Sequence, residues 1–211
     1  MPAAISLTLN EAGYVVEQSS TAINRAVDRG LIRAKLQQRG NNRLRKIGPA
    51  ELRFLAIAGA VEKDLTPAAR RKVYEAMRRL PPDTHRLAIG MMEFKLTAID
   101  QRIAERLQRL GAVKALVEER AGSDPVLRGT TVSVYAIAAL ARGQSISEIL
   151  TDFPSLTGEQ IHAAVEYAKV YPKTGRPLPT RSLWRMLGDA AETGVWDVEN
   201  DPEPITPRQL P

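Results

Sequence analysis

Cysteine is absent from the 211 residues, and with it go disulfides, thiolate nucleophiles and cysteine-ligated zinc. Aromatic residues are scarce, at 5%, so any core must be assembled from Leu, Ile, Val and Ala; with frequent Arg and Glu, that set favours helices. Histidine occurs only at His85 and His162, and Glu166, four residues after His162, does not complete a metal site. No apolar run approaches the ~18 residues needed to span a bilayer, and no apolar signal core follows Met1. A Gly-rich phosphate loop, a serine elbow and a His–Cys pair are all missing. The carboxylates Asp100, Glu105, Glu118, Glu119 and Asp124 recur beside Arg102, Arg106 and Arg120, the pattern of a solvated helix face. A soluble, cytoplasmic chain is expected, with no enzymatic activity, no cofactor, no metal and no membrane partner.

What is present is positive charge. The formal net charge is +6, and excess cationic charge commonly serves a polyanion. It is concentrated at the front, where residues 1–50 hold Arg25, Arg29, Arg33, Lys35, Arg39, Arg43, Arg45 and Lys46 against only Glu11, Glu17 and Asp28.

Local signals divide the chain. Thr8-Leu-Asn-Glu11 is a capping box that opens a helix to about Val16. Ser19 or Ser20 caps a second helix, Thr21–Arg29, with Ile23, Ala26 and Val27 on one face and Thr21, Asn24, Arg25 and Asp28 on the other. After Gly30, Leu31–Leu36 and Arg43–Ile47 read as strands around a basic tip, and Pro49 opens the next helix. A helix follows from Thr66 to Leu80, then an extended segment from His85 to Leu96 with Leu87, Ile89, Met91 and Phe94 inward. Between Thr97 and Glu119 the residues Ile99, Ile103, Leu107, Leu110, Val113 and Leu116 recur at helical spacing, as one helix or as two broken at Gly111; they can build a core within the chain or a dimer seam. Then come a short strand at Val132–Val134, a helix over Tyr135–Arg142, a capping box at Ser145–Glu148, and a third helix capped by Thr157. A stiff linker, Gly175-Arg-Pro-Leu-Pro179, leads to an amphipathic helix over Thr180–Thr193 carrying Leu183, Trp184 and Leu187; Gly194–Pro211 is rich in Pro and acid and is expected to be disordered alone.

Two stretches resemble known families. Residues 6–60, through Leu7-Thr-Leu-Asn-Glu-Ala12 and Asp28-Arg-Gly-Leu-Ile32, resemble the winged helix-turn-helix of MerR-type and excisionase-type proteins. The series Ser123-Asp-Pro-Val-Leu-Arg-Gly-Thr-Thr-Val132, Gly143, Ser145-Ile-Ser-Glu148, Asp152-Phe-Pro154, Leu156-Thr157 and Ala163-Ala-Val-Glu-Tyr-Ala168 resembles a small tri-helical domain found in antitoxins of bacterial toxin–antitoxin pairs, of the VapB type. The fold class expected is mainly α: two small HTH-like helical domains, the first winged with a short β-hairpin, plus an extended C-terminal tail. The divisions are residues 1–60, winged helix-turn-helix; 61–121, a connector and candidate dimer region; 122–172, the tri-helical domain; and 173–211, linker and tail.

The basic hairpin can lie along a phosphate backbone while the second helix reaches base edges. Thr21, Asn24, Arg25, Lys35, Arg39, Arg43, Arg45 and Lys46 are the candidate DNA contacts. The resemblance implies that the tail covers a PIN-domain ribonuclease toxin, whose clustered carboxylates hold Mg²⁺, through Arg176, Arg181, Leu183, Trp184, Arg185 and Leu187. It also implies operator binding, autorepression and a homodimer on paired half-sites. A stand-alone transcriptional regulator and an oligomeric adaptor that touches no DNA are the alternatives.

Overall fold

The structure, a computed structural model, describes residues 5–192 apart from 41, 62–64 and 82. It is mainly helical with short hairpins, as the sequence leads one to expect. The expected disorder of Gly194–Pro211 falls outside the described residues.

A short strand, β1 (Leu7–Thr8), runs straight into α1 (Leu9–Val16). The capping box forms in full: Thr8 Oγ1 accepts from the Glu11 N–H at 3.3 Å, and the Glu11 carboxylate accepts from the Thr8 N–H at 2.7 Å. Helix α1 ends where Glu17 turns left-handed, at φ 57°. Ser19 then caps α2 (Ser20–Asp28) by accepting from the Ala22 N–H. The turn between them is tight, for a Cβ on Gly13 would lie 2.6 Å from the Gln18 carbonyl oxygen. Strands β2 (Lys35–Arg39) and β3 (Asn42–Ile47) form the expected hairpin, and β1 extends it to the order β1-β3-β2. The strands run closer to the tip than the sequence suggested, because Gly40, at φ 59°, makes a turn that the ladder can reach.

Helices α3 (Pro49–Val61) and α4 (Pro67–Arg79) close over the pair, with Ile23, Ile47, Leu52, Phe54 and Tyr74 buried between them. The segment expected to be one extended stretch is a hairpin, β4 (Arg86–Ile89) with β5 (Met92–Lys95), because Gly90 at φ 61° reverses the chain. Leu87 is buried opposite Phe94, whereas Met91, expected inward, sits in the turn and is fully exposed. Helix α5 (Thr97–Ala115) passes through Gly111 unbroken; a lone Gly costs only about 1 kcal/mol against Ala. Its apolar stripe is used within the chain: Ile103 and Leu110 join the first core and Val113 joins a second.

That second core lies under the tri-helical part. Strand β6 (Val117–Glu118) pairs with β7 (Val126–Leu127). The strand expected at Val132–Val134 is only a single bridge, Val126 to Ser133, because the Val134 N–H bonds the Pro125 carbonyl and opens a helix there. Helices α6 (Val134–Leu140), α7 (Ile146–Asp152) and α8 (Gly158–Val170) enclose Leu127, Val134, Ile137, Ile149 and Ile161. The capping boxes at Ser145/Glu148 and Thr157/Gln160 are both complete. Helix α9 (Leu183–Glu192) follows the linker. No helix among the described residues is long and apolar enough to cross a membrane.

Candidate nucleic-acid and partner surfaces

The β2–β3 hairpin presents its cations on two faces, because side chains alternate along a strand. The ladder sets Lys35 opposite Lys46 and Leu36 opposite Arg45, with Arg43 two residues from Arg45 on the same face. Two ammonium groups directly across a pair repel by up to about 1 kcal/mol, and a bound anion relieves the repulsion. Arg39 pairs with Asn42 at the strand ends, and its side chain falls outside the described part.

On α2, Thr21 and Arg25 are exposed, and Asn24 is half-buried. Asn24 and Arg45, both expected at DNA, are tied to each other. Arg45 Nη1 donates to Asn24 Oδ1 and to Asp28 Oδ1, each at 2.6 Å, while the Asn24 amide donates to Asp28 Oδ2 at 3.2 Å. This triad braces the wing against α2, so both side chains are partnered before any ligand arrives. Arg25, Lys35, Arg43 and Lys46 make no ion pair with a described residue.

The tail is organised by polarity. Asp152, on α7, accepts from Ser182 Oγ at 2.7 Å, from the Gln144 amide at 2.9 Å and from Arg185 Nε at 3.1 Å. The bonds from Ser182 and Gln144 hold its carboxyl below the usual range against the opposing pull of burial, and Arg185 adds to them. Arg185 also bonds Glu148, and Ser182 is buried. At Gly143 a Cβ would lie 2.7 Å from the Thr180 carbonyl oxygen, so the chain entering α9 lies directly on the α6–α7 turn. The apolar side chains point the other way: Leu183 is 63% and Trp184 78% exposed, with Leu187 beside them. Arg181 pairs within the tail with Asp189 at 2.6 Å, and Arg176 is exposed in the linker. Of the arginines expected at a partner, Arg181 and Arg185 are both held by their own chain.

Local reading misses what holds these parts together. Glu11 is buried where α1, α5 and the end of α8 meet. Its carboxylate accepts from Tyr171 Oη at 2.6 Å and pairs with Lys114. Burial alone would raise its pKa, but the bonds from Lys114, Tyr171 and Thr8 outweigh it and hold the group at about 2. Burial, then the bond to Glu11, pushes the Tyr171 phenol up. Glu11 has a local signal as a capping residue; its second role depends on partners far away in sequence. Asp100, expected on a solvated face, instead forms a two-bond ion pair with buried Arg53, at 2.7 and 2.6 Å, joining α5 to α3. His85 and His162 are both exposed.

The chain is 30% identical over 217 aligned residues to the "Uncharacterized protein y4eO" of Sinorhizobium fredii (strain NBRC 101917 / NGR234), covering 92% of each. It belongs to the same family as y4eO. Within it, residues 117–168 match the family described as "Protein of unknown function (DUF433)". That match runs from the start of β6 nearly to the end of α8, which is the second core and the helices around it. The y4eO likeness reaches beyond it, across almost the whole chain.

Proposed function

We propose that this chain is a VapB-type antitoxin: its winged helix-turn-helix binds operator DNA as a homodimer and represses its own operon, and its tail engages a PIN-domain ribonuclease. The observation that carries the reading is the ridge of Leu183, Trp184 and Leu187. Large apolar side chains exposed together on one helix mark a surface made for another protein. The unpaired cations of the wing and of α2 supply the DNA-facing half. Arg176, rather than the ion-paired Arg181 and Arg185, is the arginine open to a toxin's carboxylates, where a bidentate guanidinium disables a Mg²⁺ site.

The test is co-purification of the full chain with the protein encoded by the adjacent reading frame. The wild type is expected to retain a ribonuclease and suppress its activity. Trp184→Ala with Leu187→Ala is expected to weaken retention at least about tenfold, since a buried aromatic anchor is worth about 2 kcal/mol or more. Equal retention by wild type and variant removes the tail from the interface.

One observation favours a second reading. Ser182 and Arg185 tie the base of α9 to α7, as in a stand-alone DNA-binding regulator whose tail serves its own body. That reading predicts DNA binding with no ribonuclease retained. An adaptor that touches no DNA predicts instead a flat response to salt.

A further inference from the structure

Beside the C-terminal end of α2 lies an open groove of about 1020 Å³, floored by Leu31 and walled by one face of α4. Arg29, Arg70, Arg71, Lys72 and Arg79 line it, against Glu75 as the one acid among its lining residues. Arg29, Arg71, Lys72 and Arg79 make no ion pair with any described residue, whereas Arg70 is engaged elsewhere and Glu75 is already taken by Arg33 and Arg78, at 3.3 and 3.4 Å. Four such charges around one concavity repel each other, and no described acid is paired with them.

The groove continues the outer face of α2. Arg29 follows Arg25 by one helical turn, and its N–H still bonds the Arg25 carbonyl at 3.0 Å, so the two share a face. From Arg29 the positive surface steps across Gly30 to α4, where Arg71 Nη2 lies 3.9 Å from the place a Gly30 Cβ would occupy. The α4 stretch from Arg71 to Arg79 is about 12 Å long. One DNA strand carries a charge every ~3.4 Å along the axis, so this length meets about three phosphates.

We infer that this groove is a second phosphate-contacting surface for duplex DNA, so that α2 is flanked by cations on both sides, the wing on one and α4 on the other. The inference rests on the DNA-binding reading above and extends its footprint to Arg29, Arg71, Lys72 and Arg79. An open groove with aliphatic floor residues suits a backbone lying along it. Its contacts add affinity without sequence preference.

The test uses the full chain and a fluorescent duplex of about 30 base pairs of scrambled sequence, with affinity measured by anisotropy across a potassium chloride series. Each phosphate contact removed lowers the log–log salt slope by ~0.9. For each bound copy, Arg71→Gln/Lys72→Gln/Arg79→Gln is expected to lower it by about 2.7, and Arg29→Gln alone by about 0.9, doubled where two copies bind, with unchanged thermal midpoints. Arg43→Gln/Lys46→Gln in the wing is expected to lower it by about 1.8 for each bound copy. An unchanged slope in the α4 variant beside a lowered slope in the wing variant overturns the groove and leaves the wing standing. A wild type that binds no duplex overturns the DNA reading itself, and the groove with it.

Discussion

Replacing Glu11 by Gln tests whether the front of the molecule is locked to its tri-helical part by one buried carboxylate. Glu11 accepts from Thr8 and Tyr171 and pairs with Lys114, and its pKa stands at about 2 against an ordinary value of 4.5. At about 1.4 kcal/mol per pH unit, that difference corresponds to about 3 kcal/mol of folding stability. The folded-state pKa is depressed, so the unfolded chain binds the proton first as pH falls. The contribution is complete above about pH 4.5, is down to roughly half near pH 3, and is gone below about pH 2. The Gln side chain cannot carry the charge, so the variant lacks the contribution at every pH.

The assay is urea denaturation of wild type and Glu11→Gln from pH 7 to pH 3. The gap between the two is expected to shrink by about 2 kcal/mol over that range. Glu148, Asp152 and Glu166 are also held below their ordinary values, so both proteins lose stability in acid and only the difference between them reports on Glu11. Parallel profiles would refute the reasoning, because the gap would then come from packing. Tyr171→Phe, which deletes one donor to the carboxylate, is expected to cost about 1.5–3 kcal/mol at pH 7 and less in acid.

Three further outcomes follow from geometry. Gly13→Ala forces a Cβ to 2.6 Å from the Gln18 carbonyl, and a loss of about 1–3 kcal/mol with weakened duplex binding is expected in denaturation and anisotropy experiments. Asp100→Asn breaks the carboxylate–guanidinium pair at buried Arg53 and is expected to cost about 3–5 kcal/mol in the same denaturation assay, far more than a surface pair. Asp152→Asn loosens the base of α9 and is expected to lower the fluorescence anisotropy of Trp184 in a Trp196→Phe chain while moving the thermal midpoint little; unchanged anisotropy would mean that the linker alone orients the tail.

The helices and caps were legible because their causes are local. Thr8, Ser19, Thr66, Ser145 and Thr157 each cap the helix that follows, and those bonds span three residues. Hairpins were legible where a basic or polar tip separated apolar runs, as at Gly40, and were missed at Gly90, where apolar Met91 sits in the turn. The candidate surfaces were legible as charge and as exposed apolar residues, but not as geometry. Whether Arg45 faces a ligand or Asn24, and whether Arg185 faces a partner or Asp152, depends on contacts 21 and 33 residues apart. The cations of α4 escaped notice because their spacing is that of an ordinary solvated helix; only the tertiary placement of Arg29 beside them makes a groove.

The shared beam α5 constrains how the tail can influence DNA. Ile103 and Leu110 are buried in the first core and Val113 in the second, on one uninterrupted helix. Tyr171, where α8 gives way to the linker, is bonded to Glu11 in α1. A hinge between the two cores would have to bend α5 and break the Glu11 contacts, a cost of about 3 kcal/mol from the carboxylate alone. A partner seated on Trp184 can shift DNA affinity only through differential binding to two arrangements of the chain. On the proposed reading, with an internal hinge this costly, the arrangements expected to differ are those between copies, so the spacing of paired half-sites is where tail occupancy would act. Glu11→Gln then separates the two routes: if it alters DNA affinity in the absence of any partner, the winged part does move against the tri-helical part, and the argument from α5 is wrong.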